Sequence, residues 1–492
     1  MLTSGCAWIV RAAQNPSEGA NPYRSVALSA DGRFVAFATD VALDPSDSDQ
    51  DADVYVRDQQ DGAVTLVSTD DAPSTANGSP SISGSGRYVA YEGFVGPRLR
   101  RNIFVRDRHL GTTTQVTPDG GASPSISSDG RYIAFSSSAS DLVPGDTNGL
   151  GDVFVADLVA KTIVRASVDG DGADANGSSY GASISGDGLS VAFESSASDL
   201  VANDTNGVTD VFVRRLDTGV TVRASVDSSG NQVRDQSLDP SISGDGRYVA
   251  FESADRDLAD NDLNGTFDVF RRDLQSGATE LVSVNSAGNS GNGVSEAPSI
   301  SGDGGEVAFQ SSATDLAPGV NHHLYRHVYV RDVSAGLTTR ASADTFDRPA
   351  YSGDSRYAAL SFDGRFVAFV SDALGLVSDD AGFTRDVFVR ATRSPSITSL
   401  EPSTVARGAT STVTVTGRQF ASGTTVNIDP PTGLTVQTVT VLSDTKLEVV
   451  VAVVPDAPVG PRQFAIHVPA PGPGAIGIAE SIAACNSCIA VN

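Results

Sequence analysis

The sequence predicts an all-β protein: a seven-bladed β-propeller closed by an N-terminal strand, followed by a small β-sandwich. Three observations predict it. One unit recurs seven times with its pattern intact and its loops varied. The acids divide into 50 Asp and 10 Glu beside 49 Gly and 23 Pro, which favours turns over helices. Past residue 393 the repeat stops and a different run of alternating strands begins.

The unit reads Ser-Ile-Ser, Asp-Gly, Arg-Tyr-Val-Ala-Phe, a loop, Asp-Val-Phe-Val-Arg-Asp, then Thr-x-Arg-Ala-Ser. Its turn glycines are Gly32, Gly86, Gly130, Gly188, Gly246, Gly304 and Gly364, and three successive intervals are 58 residues each. Asp-Gly between two β-like runs predicts a type I′ hairpin turn. The second strand carries Val/Ile-Ala-Phe/Tyr in every copy, as in Val35-Ala36-Phe37 and Val249-Ala250-Phe251. Successive strand side chains point to opposite faces, so the large residues share one face and alanine takes the other. That suits a sheet held between two neighbours. The third strand sets an aromatic between aliphatics: Tyr55, Phe104, Phe154, Phe212, Phe270, Tyr329 and Phe388. These are expected to pack between blades. Arg33, Arg87, Arg131 and Arg247 recur with Asp58, Asp107, Asp157 and Asp273, which predicts ion pairs within blades.

Four short antiparallel strands repeated radially make a propeller. The copies resemble the TolB-type, WD-repeat-like propeller family, whose units carry a similar Ser-x-Asp-Gly-Arg-x-Ile-Ala-Phe hairpin. The resemblance covers roughly residues 7 to 393 and implies the fold. It also implies protein–protein contacts, which the family's periplasmic members make. The seventh copy lacks a fourth strand after Asp386-Val387-Phe388-Val389-Arg390. Ile9-Val10-Arg11-Ala12-Ala13 matches the fourth strands Ile163–Ser167 and Thr221–Ser225 of other copies. It is therefore expected to complete the last blade and remove an exposed edge. The propeller is assigned to residues 1–393 and the second domain to 394–492.

In that second domain, strands are expected over residues 411–416, 424–428, 436–441 and 447–454. Pro395-x-Ile397-x-x-Leu400-x-Pro402 and Val413-Thr414-Val415-Thr416-Gly417-x-x-Phe420 resemble an IPT/TIG immunoglobulin-like domain. The resemblance implies an Ig-like sandwich serving as a spacer or adhesion module. Cys485 and Cys488, in Cys-Asn-Ser-Cys, have no second pair to make a zinc site, and a local disulfide is expected. That pairing fits a secreted, periplasmic or cell-surface location. No signal peptide is visible in the chain. With a formal charge of −26 the protein would repel nucleic acid and anionic lipid. No apolar run approaches the ~20 residues of a transmembrane helix. A monomer is expected.

In a four-stranded meander the Asp-Gly turns lie at one end, and the second-to-third loops gather at the other. Binding is expected on that long-loop face. Blade one offers Asp47, Asp49, Asp51 and Asp53 there. Blade three offers Asp146, Asn148 and Asp152, blade four Asp204, Asn206 and Asp210, and blade five Asp262, Asn264 and Asp268. Oxygen ligands at alternate positions can converge on calcium, which takes six to eight of them. The same residues also build plain Asx turns, and unlike an EF-hand loop these have no bidentate Glu. No other cofactor is expected. Blade six breaks the pattern with His322, His323 and His327, whose role the sequence does not reveal. No catalytic triad, nucleophile elbow or phosphate-binding loop appears. The inner strands read Ser81-Ile82-Ser83 and Ser125-Ile126-Ser127, small hydroxyls rather than a catalytic lining. The sequence thus points to a non-catalytic binding scaffold with a protein or glycan partner. The alternatives are a glycan lyase or hydrolase with a central-channel site, and a structural spacer of a surface assembly.

Overall fold

The computed structural model describes residues 9–13, 25–47, 51–69, 75–95, 100–318, 325–344, 348–350, 352–377, 385–392, 396–418, 420, 423–443, 445–468 and 481–491. Among them the chain is β throughout apart from one short 3₁₀ turn, Arg256–Leu258. No helix among them is long and apolar enough to cross a membrane. Two compact units are formed, one from Ile9–Asp344 with Arg348–Arg390, the other from residues 391–492.

The first unit contains seven four-stranded antiparallel sheets in meander order. Blade three is representative: Ala122–Ile126, Tyr132–Ser137, Asp152–Asp157 and Thr162–Arg165. Each blade's second-strand aromatic stacks on its third-strand aromatic, with ring centroids 5.6 to 6.1 Å apart in all seven. The alanine on the opposite face lets the next blade come close. Phe193 and Phe212 of blade four pack in one cluster with Ala134, Val153 and Val155 of blade three. Phe251 and Phe270 pack likewise with Ala192, Val211 and Val213. Each such aromatic contributes about 2–3 kcal/mol by leaving water.

The hairpin turns differ from the type I′ expectation. Asp31 keeps an ordinary negative φ, and only Gly32 is left-handed, at +72°. The Gly32 N–H bonds the Ser29 carbonyl, so a type I turn is followed by a glycine bulge. Asp31 explains the difference. Its carboxylate accepts from Ser29 Oγ at 2.9 Å and from the Arg33 N–H at 3.0 Å, which locks the loop without a second positive φ. Arg33, Arg87, Arg131 and Arg247 pair with Asp58, Asp107, Asp157 and Asp273 at 2.7 Å each.

Two devices close the ring. Ile9–Ala13 pairs antiparallel with Asp386–Ala391, giving blade seven its fourth strand. Arg11 Nη1 adds an ion pair to Asp386 at 3.2 Å. At the turn end, a belt of backbone hydrogen bonds of 2.7 to 3.0 Å passes from blade to blade. It runs Ala30 N–H to Gly84 O, Gly84 to Ser128, Ser128 to Gly186, and Asp187 to Gly244. From there it runs Gly244 to Gly302, Gly302 to Phe362, and Asp363 back to the Ala30 carbonyl.

The second unit is a sandwich of two four-stranded sheets. One holds Ser396–Glu401, Thr410–Arg418, Lys446–Val453 and Leu434–Ser443 in that order. The other holds Thr404–Val405, Ser481–Val491, Gly460–Val468 and Thr425–Asp429. Alternate residues such as Val413, Val415, Leu447, Val449, Phe464 and Ile466 point inward and make one apolar core.

Removing residues 1–13 takes away the partner of Asp386–Ala391 and leaves an open edge. The melting temperature should fall, or the protein should aggregate on heating, and an unchanged melting curve contradicts the seam. Ile9→Ala, at a buried position of the last blade's core, should cost about 2–4 kcal/mol in chemical unfolding.

Candidate functional site

The inner strands of successive blades adjoin all the way round, and the passage they enclose is layered. At the turn end lies the backbone belt. Phe362 of blade seven lies across it, against Gly186, Gly244 and Gly302, where a Cβ on any of the three would collide with the Phe362 ring. This end is therefore narrowed by an aromatic side chain. Above the belt, the oxygens of Ser81, Ser125, Ser183, Ser241 and Ser299 accept the N–H of Ile126, Ile184, Ile242, Ile300 and Leu360 at 3.0 to 3.2 Å. The channel hydroxyls join neighbouring blades.

At the open end the lining changes. The inner strands begin earlier than the Ser-Ile-Ser signature, as Ser179–Ile184, Ser237–Ile242, Ser295–Ile300 and Ser355–Leu360. Each carries a bulge. At the bulge stand left-handed residues: Ser123, Asp239, Ala297 and Tyr357 have φ of 52°, 48°, 52° and 56°. Their N–H groups turn to the blade before and donate to Glu92, Glu194, Glu252 and Gln310, at 2.5, 3.0, 2.7 and 3.3 Å. The mouth thereby gathers Glu194, Asp239, Glu252 and Glu296. Burial pushes the Glu252 carboxyl up to about 7, reinforced by Asp239, Glu296 and Glu194. Burial likewise raises Glu194, and partial desolvation at the mouth raises Asp239, an exposed residue that also faces Glu296. Arg326 holds Glu296 at 3.1 Å. Tyr180 and Tyr357 stand exposed beside them. Such a cluster attracts cations, and Glu252 can hold or release a proton near neutral pH.

Sequence reasoning missed this site because it read the inner strand from Ser-Ile-Ser onward. The signal was present in the acid that follows the second-strand aromatic, as in Tyr91-Glu92, Phe193-Glu194 and Phe251-Glu252.

The Asp/Asn loops take several forms. In blade three, Asp146 and Asp152 face Arg165 at 3.6 and 3.7 Å, and Asp174 joins them. In blade four, Asp204 and Asp210 face Arg223 at 3.7 and 3.8 Å. The amide nitrogens of Asn148, Asn206 and Asn264 donate to Asp152, Asp210 and Asp268 at 3.4, 2.8 and 2.6 Å. In blade five the arginine's position is Leu281, opposite Phe270, and Asp262 Oδ2 is buried with no hydrogen-bond partner. Burial raises Asp262 and lifts Asp268 to about 8. In blade one, Tyr55 Oη donates to Asp47, and Ser68 Oγ donates to Asp53 at 2.6 Å. Asp51 lies just before the third strand, and Asp49 falls outside the described residues, as do His322 and His323. Among the described residues no three His, Cys, Asp or Glu side chains form a metal-binding group. Cys485 lies opposite Phe464 in register, and an irregularity follows it in Ser481–Val491, the strand that also holds Cys488.

No protein-family model matches the chain, and no curated protein matches it in sequence. Similar solved structures include TolB from Acinetobacter baumannii, at 18 % identity and TM-score 0.37, covering 64 % of this chain. This chain spans 62 % of that protein's length. The β-propeller domain of the Trilobed protease from Pyrococcus furiosus is 10 % identical over 79 % of this chain and 94 % of its own, with TM-score 0.47. An oligogalacturonate lyase in complex with manganese is 14 % identical over the same shares, with TM-score 0.48. At such identities the likeness concerns architecture only.

Asp268 and Glu252 give stability a pH dependence of definite sign. A carboxyl whose pKa is raised by folding stabilises fully below its unfolded pKa, near 4, and loses that contribution as pH climbs through its folded value. Stability should therefore decline between pH about 4 and about 8. Asp268→Asn should flatten part of that decline and make the protein more stable than wild type at pH 9, by on the order of 2–5 kcal/mol. Parallel unfolding curves for the two proteins across this range would contradict the burial of an ionisable Asp268. For the cysteines, native intact mass with and without reductant should differ by two hydrogens if Cys485 and Cys488 are bonded.

Proposed function

We propose that the chain is a non-catalytic, exported or cell-surface binding scaffold whose open channel mouth takes up a cationic side chain of a protein partner. The observation that carries this reading is the convergence of Glu194, Asp239, Glu252 and Glu296 at the end of the channel away from Phe362. Carboxylates this close repel one another, and a bound cation relieves the repulsion. The exposed Tyr180 and Tyr357 add aromatic faces for Lys or Arg. The overall charge of −26 steers a basic partner toward the molecule. The C-terminal sandwich, through its resemblance to IPT/TIG domains, is read as a spacer.

A second reading, a glycan lyase or hydrolase, is favoured by one observation: a carboxyl near pH 7, on Glu252, beside other carboxylates, is suited to general acid–base work. The two readings part on one experiment. Arg- and Lys-rich peptides are titrated into the full chain at low and high salt, and oligosaccharide panels are assayed for cleavage. Salt-sensitive peptide binding that weakens roughly tenfold, about 1.4 kcal/mol, in Glu252→Gln with Asp239→Asn supports the scaffold. Cleavage abolished by Glu252→Gln alone overturns it in favour of the enzyme. Binding that ignores salt and both substitutions places the ligand elsewhere on the molecule.

A further inference from the structure

An arginine recurs at one position of the fourth strand. Arg165, Arg223 and Arg11 lie opposite the third-strand aromatics Phe154, Phe212 and Phe388. Each is neutralised by the aspartate that opens the third strand, Asp152, Asp210 or Asp386. Blades three and four add a loop aspartate, Asp146 or Asp204, and blade three adds Asp174.

Blade six keeps the arginine and loses the acids. Arg340 lies opposite Tyr329, its guanidinium 5.7 Å from the ring centroid, and is 7 % exposed. The position of Asp152 is taken by His327, first residue of the strand His327–Asp332. The position of Asp174, which bridges Val168, is taken by Pro349, which bridges Ala343. Arg340 Nε, Nη1 and Nη2 are all buried without a hydrogen-bond partner, and no ion pair reaches them among the described residues.

The exchange at His327 is selective. In blades one, three, four and five a serine takes a backbone N–H and passes its own proton to the aspartate at 2.5 to 2.6 Å. In blade six Ser342 takes the Val328 N–H at 3.1 Å and meets His327 Nδ1 at 3.1 Å. With its proton on Nε2 the imidazole offers the same acceptor at Nδ1, and it carries no negative charge. Blade six thus retains the framework of its sisters around a cation whose counter-charge has been removed. A buried unpaired charge is strongly disfavoured, so an anion that supplied the missing counter-charge would be stabilising.

We propose that the Arg340 guanidinium of blade six binds a small monocarboxylate anion, which supplies the counter-charge that aspartates supply beside Arg165 and Arg223. The guanidinium fork matches a planar carboxylate with two parallel hydrogen bonds. The near-complete burial of Arg340 limits the entrant to a small group. The protein's charge of −26 disfavours more highly charged anions such as phosphate.

The test uses the full chain, dialysed into chloride buffer and titrated with acetate or formate at constant ionic strength. Calorimetry should show saturable binding, and the melting temperature should rise with the logarithm of acetate concentration. Arg340→Leu, which installs the residue blade five carries as Leu281, should abolish both effects. His327→Asp should supply the carboxylate from within: a higher melting temperature without acetate, and acetate affinity at least tenfold weaker. The proposal is overturned if acetate raises the melting temperature of wild type and Arg340→Leu alike, or if phosphate binds more tightly than acetate. It is equally overturned if His327→Asp leaves acetate binding intact.

Discussion

The belt of backbone hydrogen bonds at the turn end is the constraint on which the rest of the propeller depends. It fixes how closely seven sheets approach the axis, because a main-chain N–H of each blade must reach a carbonyl of the next within 2.7 to 3.0 Å. A backbone that close leaves little room for side chains, hence Gly84, Gly186, Gly244 and Gly302 at its links. The space freed by the last three is filled once, by Phe362. From this radius the other spacings follow. Alanine faces aromatic between blades, serine oxygens reach the next inner strand, and glutamates cap the bulges at the wide end. The seam at Ile9–Ala13 closes the ring a second time, at the outer edge, by giving the last sheet its fourth strand.

A second constraint is charge. The chain carries 60 acids against 34 basic residues and buries several carboxylates near the third-strand starts. Each burial needs a partner. Serine supplies one in blades one, three, four and five, and arginine another in three, four and seven. Blade five keeps the acids without the arginine, and burial drives Asp268 toward the neutral form. Blade six keeps the arginine without the acids. Because the surrounding hydrogen bonds persist in both, the two blades isolate one variable, net charge, on a shared scaffold.

Much of this was legible in the sequence. The Val-Ala-Phe strand announced both the sandwiching of sheets and the face each residue takes, since strand periodicity admits no other arrangement once an alanine alternates with large residues. The seam was legible because Ile9–Ala13 repeats a fourth strand and the last copy lacks one. The Arg33–Asp58 type of ion pair followed from co-recurrence. What escaped were features that depend on non-local geometry. The Asp-Gly signal named the wrong turn because a hydrogen bond from Ser29, two residues upstream, decides its form. The loop aspartates read as Asx turns or as calcium ligands, and the arginine that meets them in blades three and four comes from a strand 13 to 19 residues later in the chain. The acidic mouth escaped because a bulge breaks the alternation that made the rest readable.

That bulge also explains why the mouth, rather than the turn end, gathers the glutamates. Toward the turn end, inner-strand amides are taken up by the belt, by their own sheet or by a serine of the blade before. At the mouth the left-handed residue turns its N–H out of its own ladder and toward the previous blade. An amide so displaced requires an acceptor, and a carboxylate from the adjoining second strand is the strongest available. Two neighbouring blades each meet that requirement with a glutamate, Glu194 and Glu252, so the carboxylates accumulate around one opening. The rise of Glu252, caused by burial and reinforced by its acidic neighbours, is thus a by-product of satisfying backbone amides. The chemistry of the mouth is built into how the blades join, and the long loops vary around it.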